Sequence, residues 1–145
     1  MARLDESIET LNSFLRGEPS AIETYGQALV KVTDPGVRLQ LEECRRSHSE
    51  RARKIRNRIM ELGGAPAETS GVWGAFAKVV EGGAALLGEK AAIAALEEGE
   101  DRGLKDYRED SGRLDPASRE LVFGELLPQQ ERTHGAMSTL KHSVQ

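Results

Sequence analysis

Apolar residues recur at intervals of three or four positions along most of the chain, and this spacing constrains the fold more than any other feature. On a helix such residues share one face, so each stretch predicts an amphipathic helix that packs against others. The predicted helices span about 5–32, 37–62, 89–110 and 116–141. The seam of the first helix consists of Leu4, Ile8, Leu11, Leu15, Ile22, Tyr25 and Leu29.

Prolines and glycines predict where these helices end or bend. Gly17 and Pro19 predict a bend or a break inside the first helix, and Pro128 predicts a kink inside the fourth. A proline directly after an aspartate is typical of a helix start, and paired glycines are typical of a helix end. The predicted boundary segments are Asp34-Pro35-Gly36, Gly63-Gly64 and Asp115-Pro116.

The composition favours a single all-α domain. The chain has 145 residues, of which 30% are charged and 4% are aromatic, and this balance disfavours a sheet protein. The formal net charge of -4 argues against nucleic-acid binding. The single Cys44 excludes an internal disulfide and fits a reducing, cytoplasmic location. We expect neither a signal peptide nor a membrane-spanning helix, because no charged start leads into a long apolar run.

Residues 65–88 join the second and third helices and are rich in glycine, alanine and valine. Glycines allow another backbone to approach closely, so we expect a crossover that contains a short helix and lies along the bundle. A membrane-surface segment is the weaker alternative, because the cationic polar face of such helices is missing. The small residues here, together with the arginine-rich face of the second helix, are compatible with a homodimer.

One arrangement of polar residues occurs twice in otherwise apolar seams. Glu18 precedes Tyr25 by seven residues on the first helix, and Glu100 precedes Tyr107 by seven on the third. Seven residues are two helical turns, so the members of each pair share a face. A buried carboxylate needs a partner, unless the break near Gly17 exposes Glu18 to water. The tyrosines fit either hydrogen-bond donors to the glutamates or core residues with satisfied hydroxyls.

Each half then adds a histidine on its second helix. His48 follows Glu18 by 30 residues, and His134 follows Glu100 by 34. Glu131 lies one turn before His134, so its carboxylate and the imidazole can hold one metal ion between them. Taken alone, Glu131 and His134 fit a solvated face, and His48 fits a hydrogen-bonded core histidine. The repeated arrangement favours a present or ancestral metal site.

The motifs of the repeat resemble those of rubrerythrins, within the ferritin-like superfamily. Residues 17–25 resemble the first-helix signature Gly-Glu-x-x-Ala-x-x-x-Tyr. Residues 99–107 resemble the third helix, and Glu131-x-x-His134 resembles the fourth. The whole chain is also similar to an uncharacterised bacterial family of ferritin-like proteins. The resemblance implies an all-α, left-handed four-helix bundle with a long crossover between the second and third helices.

The resemblance also implies a ligand set, because each half of that family supplies one glutamate and then Glu-x-x-His. Glu18 and His48 would bind one metal ion. Glu100 and His134 would bind the other, and Glu131 would bridge the two. Such ligands suit iron or manganese, and the implied activity is that of a di-iron-type oxidase or peroxidase. The four-cysteine iron domain of rubrerythrins is absent, so a peroxidase would need an outside reductant.

Arg45 departs from this pattern, because it stands three residues before His48, where the family has a bridging glutamate. An arginine stays charged at ordinary pH and cannot bridge two cations. Pointing inward, Arg45 would pair with Glu18, Glu100 or Glu131 and leave a mononuclear site or none. Alternatively, Arg45 turns outward and a helix irregularity brings Cys44, Glu42 or Glu43 nearer the site. Two functions therefore stay open. One is a ferritin-like protein that binds iron or manganese at a degenerate dinuclear site, and the other is a metal-free interaction or scaffold bundle.

Overall fold

A computed structural model of the chain describes residues 2–68 and 88–143. These residues contain no strand, and the all-α prediction is confirmed. The last two helices and the π-helical segment between them continue one another and form a fourth rod. The elements are α1 (Ala2–Lys31), α2 (Pro35–Glu61), α3 (Gly88–Asp110), a 3-10 turn (Ser111–Arg113), α4 (Pro116–Leu121), the π segment (Val122–Leu126) and α5 (Leu127–Ser143).

Aspartates cap the two helices that begin with proline. A side-chain oxygen of Asp34 accepts a hydrogen bond of 2.9 Å from the backbone N–H of Val37. Asp115 caps α4 in the same way, accepting from the N–H of Ser118 over 3.3 Å. The caps satisfy backbone donors that the first helical turn leaves without partners. Helix α2 consequently begins at Pro35, two residues before the predicted start.

Helix α1 is continuous through Pro19, so of the predicted bend or break near Gly17, the break is wrong. Leu15 and Ala21, on either side of the proline, are both completely buried. Packing on both sides of Pro19 therefore holds the helix together and outweighs the local cost of the proline. As a result Glu18 lies inside the bundle with only 5% exposure and does not face water.

The fourth rod changes its helical pattern one turn before Pro128. Residues Val122–Leu126 form a π-helical turn, in which the N–H of Leu127 donates to the carbonyl of Val122. Proline has no N–H, so the carbonyl four residues before Pro128, inside this segment, loses its usual donor. The π turn contains one residue more than an α-helical turn. It thereby sets which residues of α5 face inward, among them Gln130 and Thr133.

The four rods enclose two apolar clusters separated by a polar layer. Helix α1 packs on α2 and on α3, and α3 also packs on α5. One cluster contains Tyr25, Ala28, Leu29, Val32, Leu41, Cys44, Ala92, Ile93, Ala95, Leu96, Met137 and Leu140. The other contains Leu11, Phe14, Leu15, Ala52, Ile55, Ile59, Tyr107, Leu114, Val122 and Leu126. The polar layer, called here the polar centre, consists of Glu18, His48, Arg51, Glu100, Gln130 and Thr133.

Two predictions concern the surroundings of the bundle. The predicted crossover with its short helix falls almost entirely on residues 69–87, which lie outside the described residues. Within residues 2–68 and 88–143, no helix combines the length and the apolar character that a membrane crossing requires.

Candidate functional site

All four rods contribute to the polar centre, and each contribution comes from the inward face of a helix. Helices α1 and α3 each supply one glutamate, Glu18 and Glu100. Helix α2 supplies His48 and Arg51, which are three residues apart and therefore neighbours on one face. Helix α5 supplies Gln130 and Thr133 with the same spacing. Each of these side chains is at least nine-tenths buried.

His48 joins the two glutamates. Its Nδ1 lies 2.7 Å from Oε2 of Glu18, and its Nε2 lies 2.6 Å from Oε2 of Glu100. With Glu18 and Glu100 both ionised, the carboxylates only accept hydrogen bonds, so both ring nitrogens donate and the ring is an imidazolium. His48 is therefore a cation that holds α1 and α3 together from α2.

The charges in the centre support one another. Burial alone would lower the pKa of His48, but the nearby carboxylates of Glu100 and Glu18 outweigh it and raise that pKa. Burial alone would raise the pKa of each glutamate. The positive charges of His48 and Arg51, with the hydrogen bonds that each carboxylate accepts, lower both pKa values instead. Two carboxylates thus face two cations, and the buried centre is formally neutral.

Arg51 is completely buried and connects α2 to two other rods. Its Nε donates to the carbonyl of Ser47 over 3.4 Å and lies 3.8 Å from Oε2 of Glu18. Its Nη1 donates to Oε1 of Gln130, and its Nη2 donates to Oγ1 of Thr133 over 3.1 Å. A buried guanidinium is tolerated only when its charge and its donors have partners, and this one has both.

Helix α5 completes the surroundings of Glu100. Nε2 of Gln130 donates to the backbone carbonyl of Glu100 over 2.7 Å and to its Oε1 over 2.9 Å. The Thr133 hydroxyl donates to the same Oε1 over 2.6 Å while it accepts from Arg51. Gln130 and Thr133 therefore each accept a hydrogen bond from Arg51 and donate one to Glu100.

The two tyrosines of the repeat are hydrogen-bond donors to the glutamates. The Tyr25 hydroxyl donates to Oε2 of Glu100 over 2.5 Å, and the Tyr107 hydroxyl donates to Oε1 of Glu18 over 3.0 Å. Burial, and then the adjacent carboxylate, raise the pKa of each tyrosine well above its ordinary value. Both hydroxyls therefore stay protonated and act as donors to the carboxylates.

A cleft between α1 and α3 reaches this centre from the surface. It has a volume of about 140 Å³, and its lining includes Glu18 and His48. Gly17, Gly99 and Gly103 also line it, and their missing side chains leave room for the cleft. Water therefore has a route toward one side of the polar centre.

The chain matches a known protein family. The family model described as Domain of unknown function (DUF2383) matches residues 6–111, which is most of the chain. The chain belongs to this family. No curated protein matches the chain.

A solved structure shows which fold this DUF2383 protein has. The chain is similar to a crystal structure described as that of "ferritin like, diiron-carboxylate proteins from Bacillus anthracis str. Ames", with a TM-score of 0.64 and 18% identity. The match covers 99% of this chain and 95% of that chain. At such identity the likeness shows the fold alone. The predicted ferritin-like four-helix bundle is therefore confirmed.

Of the residues predicted as metal ligands, the structure brings three together. Glu18, His48 and Glu100 meet in the polar centre, as described above. Glu131 and His134 do not reach it, because each lies one position beyond an inward residue of α5 and is rotated by about 100°.

The two remaining predicted ligands have ion-pair partners outside the polar centre. The side chain of Glu131 is 51% exposed and lies 3.3 Å from Arg108. Nε2 of His134 lies 3.8 Å from a carboxylate oxygen of Glu97 and 3.6 Å from one of Asp101. The His134 contacts lie between α3 and α5, where the His134 side chain is 24% exposed, and not in the polar centre, so the predicted five-residue ligand set is not assembled.

Arg45, the residue that departs from the rubrerythrin pattern, does not enter the polar centre and lies beside Gly26 of α1. Its side chain is 39% exposed and pairs with Glu42 over 2.8 Å. The buried arginine is Arg51, on the other side of His48 in the sequence. Arg45 therefore does not decide whether the centre can hold a metal, and Arg51 is the arginine that matters.

The sequence reasoning missed three members of the centre, although a regularity in the repeat points to two of them. The two glutamates of the repeat are 82 residues apart, and so are the two tyrosines. The same step leads from His48 to Gln130 and from Arg51 to Thr133. A constant offset therefore assigns Gln130, and not His134, as the counterpart of His48.

The residues of the centre do not fit a metal ion as they stand. Both nitrogens of His48 donate to carboxylates, and a metal needs a nitrogen lone pair. Arg51 adds a fixed positive charge that repels a cation. Across residues 2–68 and 88–143, no group of three or more His, Cys, Asp or Glu side chains is arranged to hold a metal.

Proposed function

We propose that this protein is a metal-independent ferritin-like bundle that serves as a scaffold or interaction protein. The observation that carries the proposal is the double hydrogen bond of His48 to Glu18 and Glu100, at 2.7 Å and 2.6 Å. The imidazole of a metal-binding histidine is neutral and offers a lone pair to the metal. Here the ring is an imidazolium, and its charge balances the carboxylates that would otherwise attract a metal.

The hydrogen bonds of the centre support a role in fixing the bundle. Each oxygen of Glu100 accepts from two side chains, Oε1 from Gln130 and Thr133 and Oε2 from Tyr25 and His48. Buried polar networks of this kind hold helices in one arrangement when all members have partners. We therefore assign the centre to the positioning of the four rods and assign the function to the surface that they present.

Elemental analysis tests the proposal. The protein is expressed with added iron and manganese, purified without chelator and compared with His48→Ala and His134→Ala. We expect far less than one equivalent of either metal per chain in all three proteins, and a thermal unfolding midpoint that EDTA does not change. Stoichiometric iron or manganese that disappears in His48→Ala and persists in His134→Ala would overturn the proposal.

Binding of iron or manganese is the second candidate function. Glu18, His48 and Glu100 converge from three helices, and the cleft between α1 and α3 leads to two of them. This candidate requires His48 to lose a proton and to leave at least one carboxylate. Metal uptake should then increase with pH, and assays with peroxide and ferrous iron would test oxidase or peroxidase activity.

The cellular setting and the oligomer are part of the proposal. Cys44 is a buried free cysteine, and burial followed by the nearby Glu100 carboxylate raises its pKa to about 12. An unreactive thiol of this kind fits the reducing cytoplasm predicted from the sequence. The predicted homodimer stays a prediction, which sedimentation equilibrium tests by giving one or two times the chain mass.

A further inference from the structure

We infer that positions 48, 51, 130 and 133 are the places of four absent metal ligands, and that His48 and Arg51 supply the positive charge that two metal ions would bring. The inference rests on the proposed function in one respect, namely that the native centre holds no metal. It goes further in that His48 and Arg51 are the side chains that exclude the metal, and that restoring ligands at positions 48, 51, 130 and 133 would restore a site.

The six side chains of the polar centre occupy the ligand positions of a carboxylate bundle with two metal ions. Carboxylate bundles with two metal ions take one glutamate from each of two helices and an inward Glu-x-x-His pair from each of the other two. Glu18 and Glu100 are the single glutamates here, on α1 and α3. The inward pairs are His48 with Arg51 on α2 and the two polar residues on α5, and all are spaced by three residues. The structure therefore keeps six positions of the required kind.

The internal repeat supports the same assignment of positions. Gln130 follows Glu100 by 30 residues, as His48 follows Glu18, and Thr133 lies one turn further on, as Arg51 does. The two inward pairs are thus equivalent in sequence spacing as well as in position. Equivalent positions in two halves are expected when both halves once served the same site.

The charge balance of the polar centre also supports the inference. Four glutamates and two divalent cations would sum to zero, counting four negative charges against two ions of two positive charges each. In this chain two glutamates, Glu18 and Glu100, face the single positive charges of His48 and Arg51. The sum is again zero, as a deeply buried cluster requires. The loss of two carboxylates and the gain of two side-chain cations are therefore matched changes.

A quadruple variant tests the inference. It combines His48→Glu, Arg51→His, Gln130→Glu and Thr133→His, and it is titrated with Mn²⁺ under anaerobic conditions and with Fe²⁺ separately. We expect about two equivalents of metal per chain, against far less than one for the native protein. A variant that is helical and monodisperse yet binds no metal would overturn the inference.

The controls use residues that face away from the centre. Adding Glu131→Ala and His134→Ala to the quadruple variant should leave its metal stoichiometry unchanged, because both side chains lie outside the polar centre. Arg45→Glu in the native protein should add no metal, because Arg45 is half-exposed and pairs with Glu42. A loss of metal in the first control, or a gain in the second, would contradict the assigned positions.

A double variant keeps the test decisive when folding is weakened. His48→Glu with Arg51→His changes α2 alone, and we expect about one equivalent of Mn²⁺ and a thermal midpoint that rises with Mn²⁺. A protein that folds only with Mn²⁺ supports the inference, since binding then stabilises the native state. Failure of both variants to fold with Mn²⁺ present overturns it. Metal in the native protein would count against the proposed function, while the gain in the variants is judged separately.

Discussion

Tyr25 of α1 donates a hydrogen bond of 2.5 Å to Glu100 of α3, although 75 residues separate them in the chain. The reciprocal bond joins Tyr107 of α3 to Glu18 of α1 over 3.0 Å. Each tyrosine therefore hydrogen-bonds the glutamate of the opposite half. These exchanged bonds connect the two halves of the repeat at the level of the polar centre.

The two tyrosines give a direct optical test of this arrangement, because the chain contains no others. Burial, and then the neighbouring carboxylates, raise the pKa of Tyr25 and of Tyr107 well above the ordinary 10.0. We expect no phenolate absorbance from the folded protein at pH 10, while the protein unfolded in guanidinium titrates normally. Half-ionisation near pH 10, with circular dichroism still native, would contradict the buried hydrogen bonds.

Replacing His48 by alanine should be far more harmful than replacing His134. His48→Ala leaves Glu18 and Glu100 without the cation that joins them, and breaking a buried ion pair costs about 3–5 kcal/mol. The side chain of His134 is 24% exposed and its ion pairs with Glu97 and Asp101 are long, at 3.8 and 3.6 Å, so His134→Ala should cost less than about 1 kcal/mol. Urea unfolding of both variants at one pH measures the two losses in the free energy of unfolding. Equal losses would show that His48 is not a buried partner of the glutamates.

Stability should depend on pH in a specific way. The pKa of His48 is raised from 6.5, so its contribution is complete below pH 6.5 and is lost as pH rises through its folded-state pKa. The pKa values of Glu18 and Glu100 are lowered from 4.5, so their contribution is complete above pH 4.5 and is lost as pH falls through the folded-state values. The contribution of the centre to the free energy of unfolding is therefore largest between pH 4.5 and 6.5.

A variant separates the two sides of this pH profile. His48→Gln removes the titrating imidazole, so its loss of stability relative to the native protein should be largest between pH 4.5 and 6.5 and should shrink at higher pH. The free energy of unfolding, measured at half-unit steps of pH for both proteins, gives this difference. A difference that stays constant with pH would mean that His48 is not charged in the folded state.

Two glycines of the cleft provide a matched pair of substitutions. A Cβ on Gly103 would lie 2.7 Å from Nε2 of Gln130 and would push it away from Glu100. Gly103→Ala should therefore cost about 1–3 kcal/mol through the displaced hydrogen bonds. A Cβ on Gly17 meets nothing within 4 Å, so Gly17→Ala should stabilise α1 by about 0.5–1 kcal/mol. Thermal unfolding gives the midpoint of each variant, and shifts of the same sign relative to the native midpoint would contradict this packing.

The sequence predicted the helices and three members of the centre for clear physical reasons. Glu18, His48 and Glu100 interrupt apolar seams, and a polar residue inside such a seam is informative because it must find a partner. Helical periodicity also located the four rods to within a few residues. It could not foresee that α1 continues through Pro19, because that depends on the packing of residues far away in the sequence.

The remaining members of the centre were hidden for different reasons. Arg51 is one of many arginines on α2, and arginine is seldom fully buried, so nothing in its local sequence separates it from Arg45. Gln130 and Thr133 are ordinary surface residues by composition, whereas the adjacent Glu131 and His134 match a metal-binding pattern. The pattern placed the prediction one residue too far along the helix, although the constant offset of 82 residues in the repeat points to Gln130 and Thr133.

The π segment Val122–Leu126 also affects how this chain should be aligned with its relatives. A regular α-helix with one residue fewer in this stretch would still bring the same side chains of α5 to the polar centre. In an alignment with a related chain that is one residue shorter in this part of the fourth rod, the gap should therefore be placed at 122–126. An alignment that omits the gap would set Glu131 and His134 opposite residues that have a different role in the shorter chain.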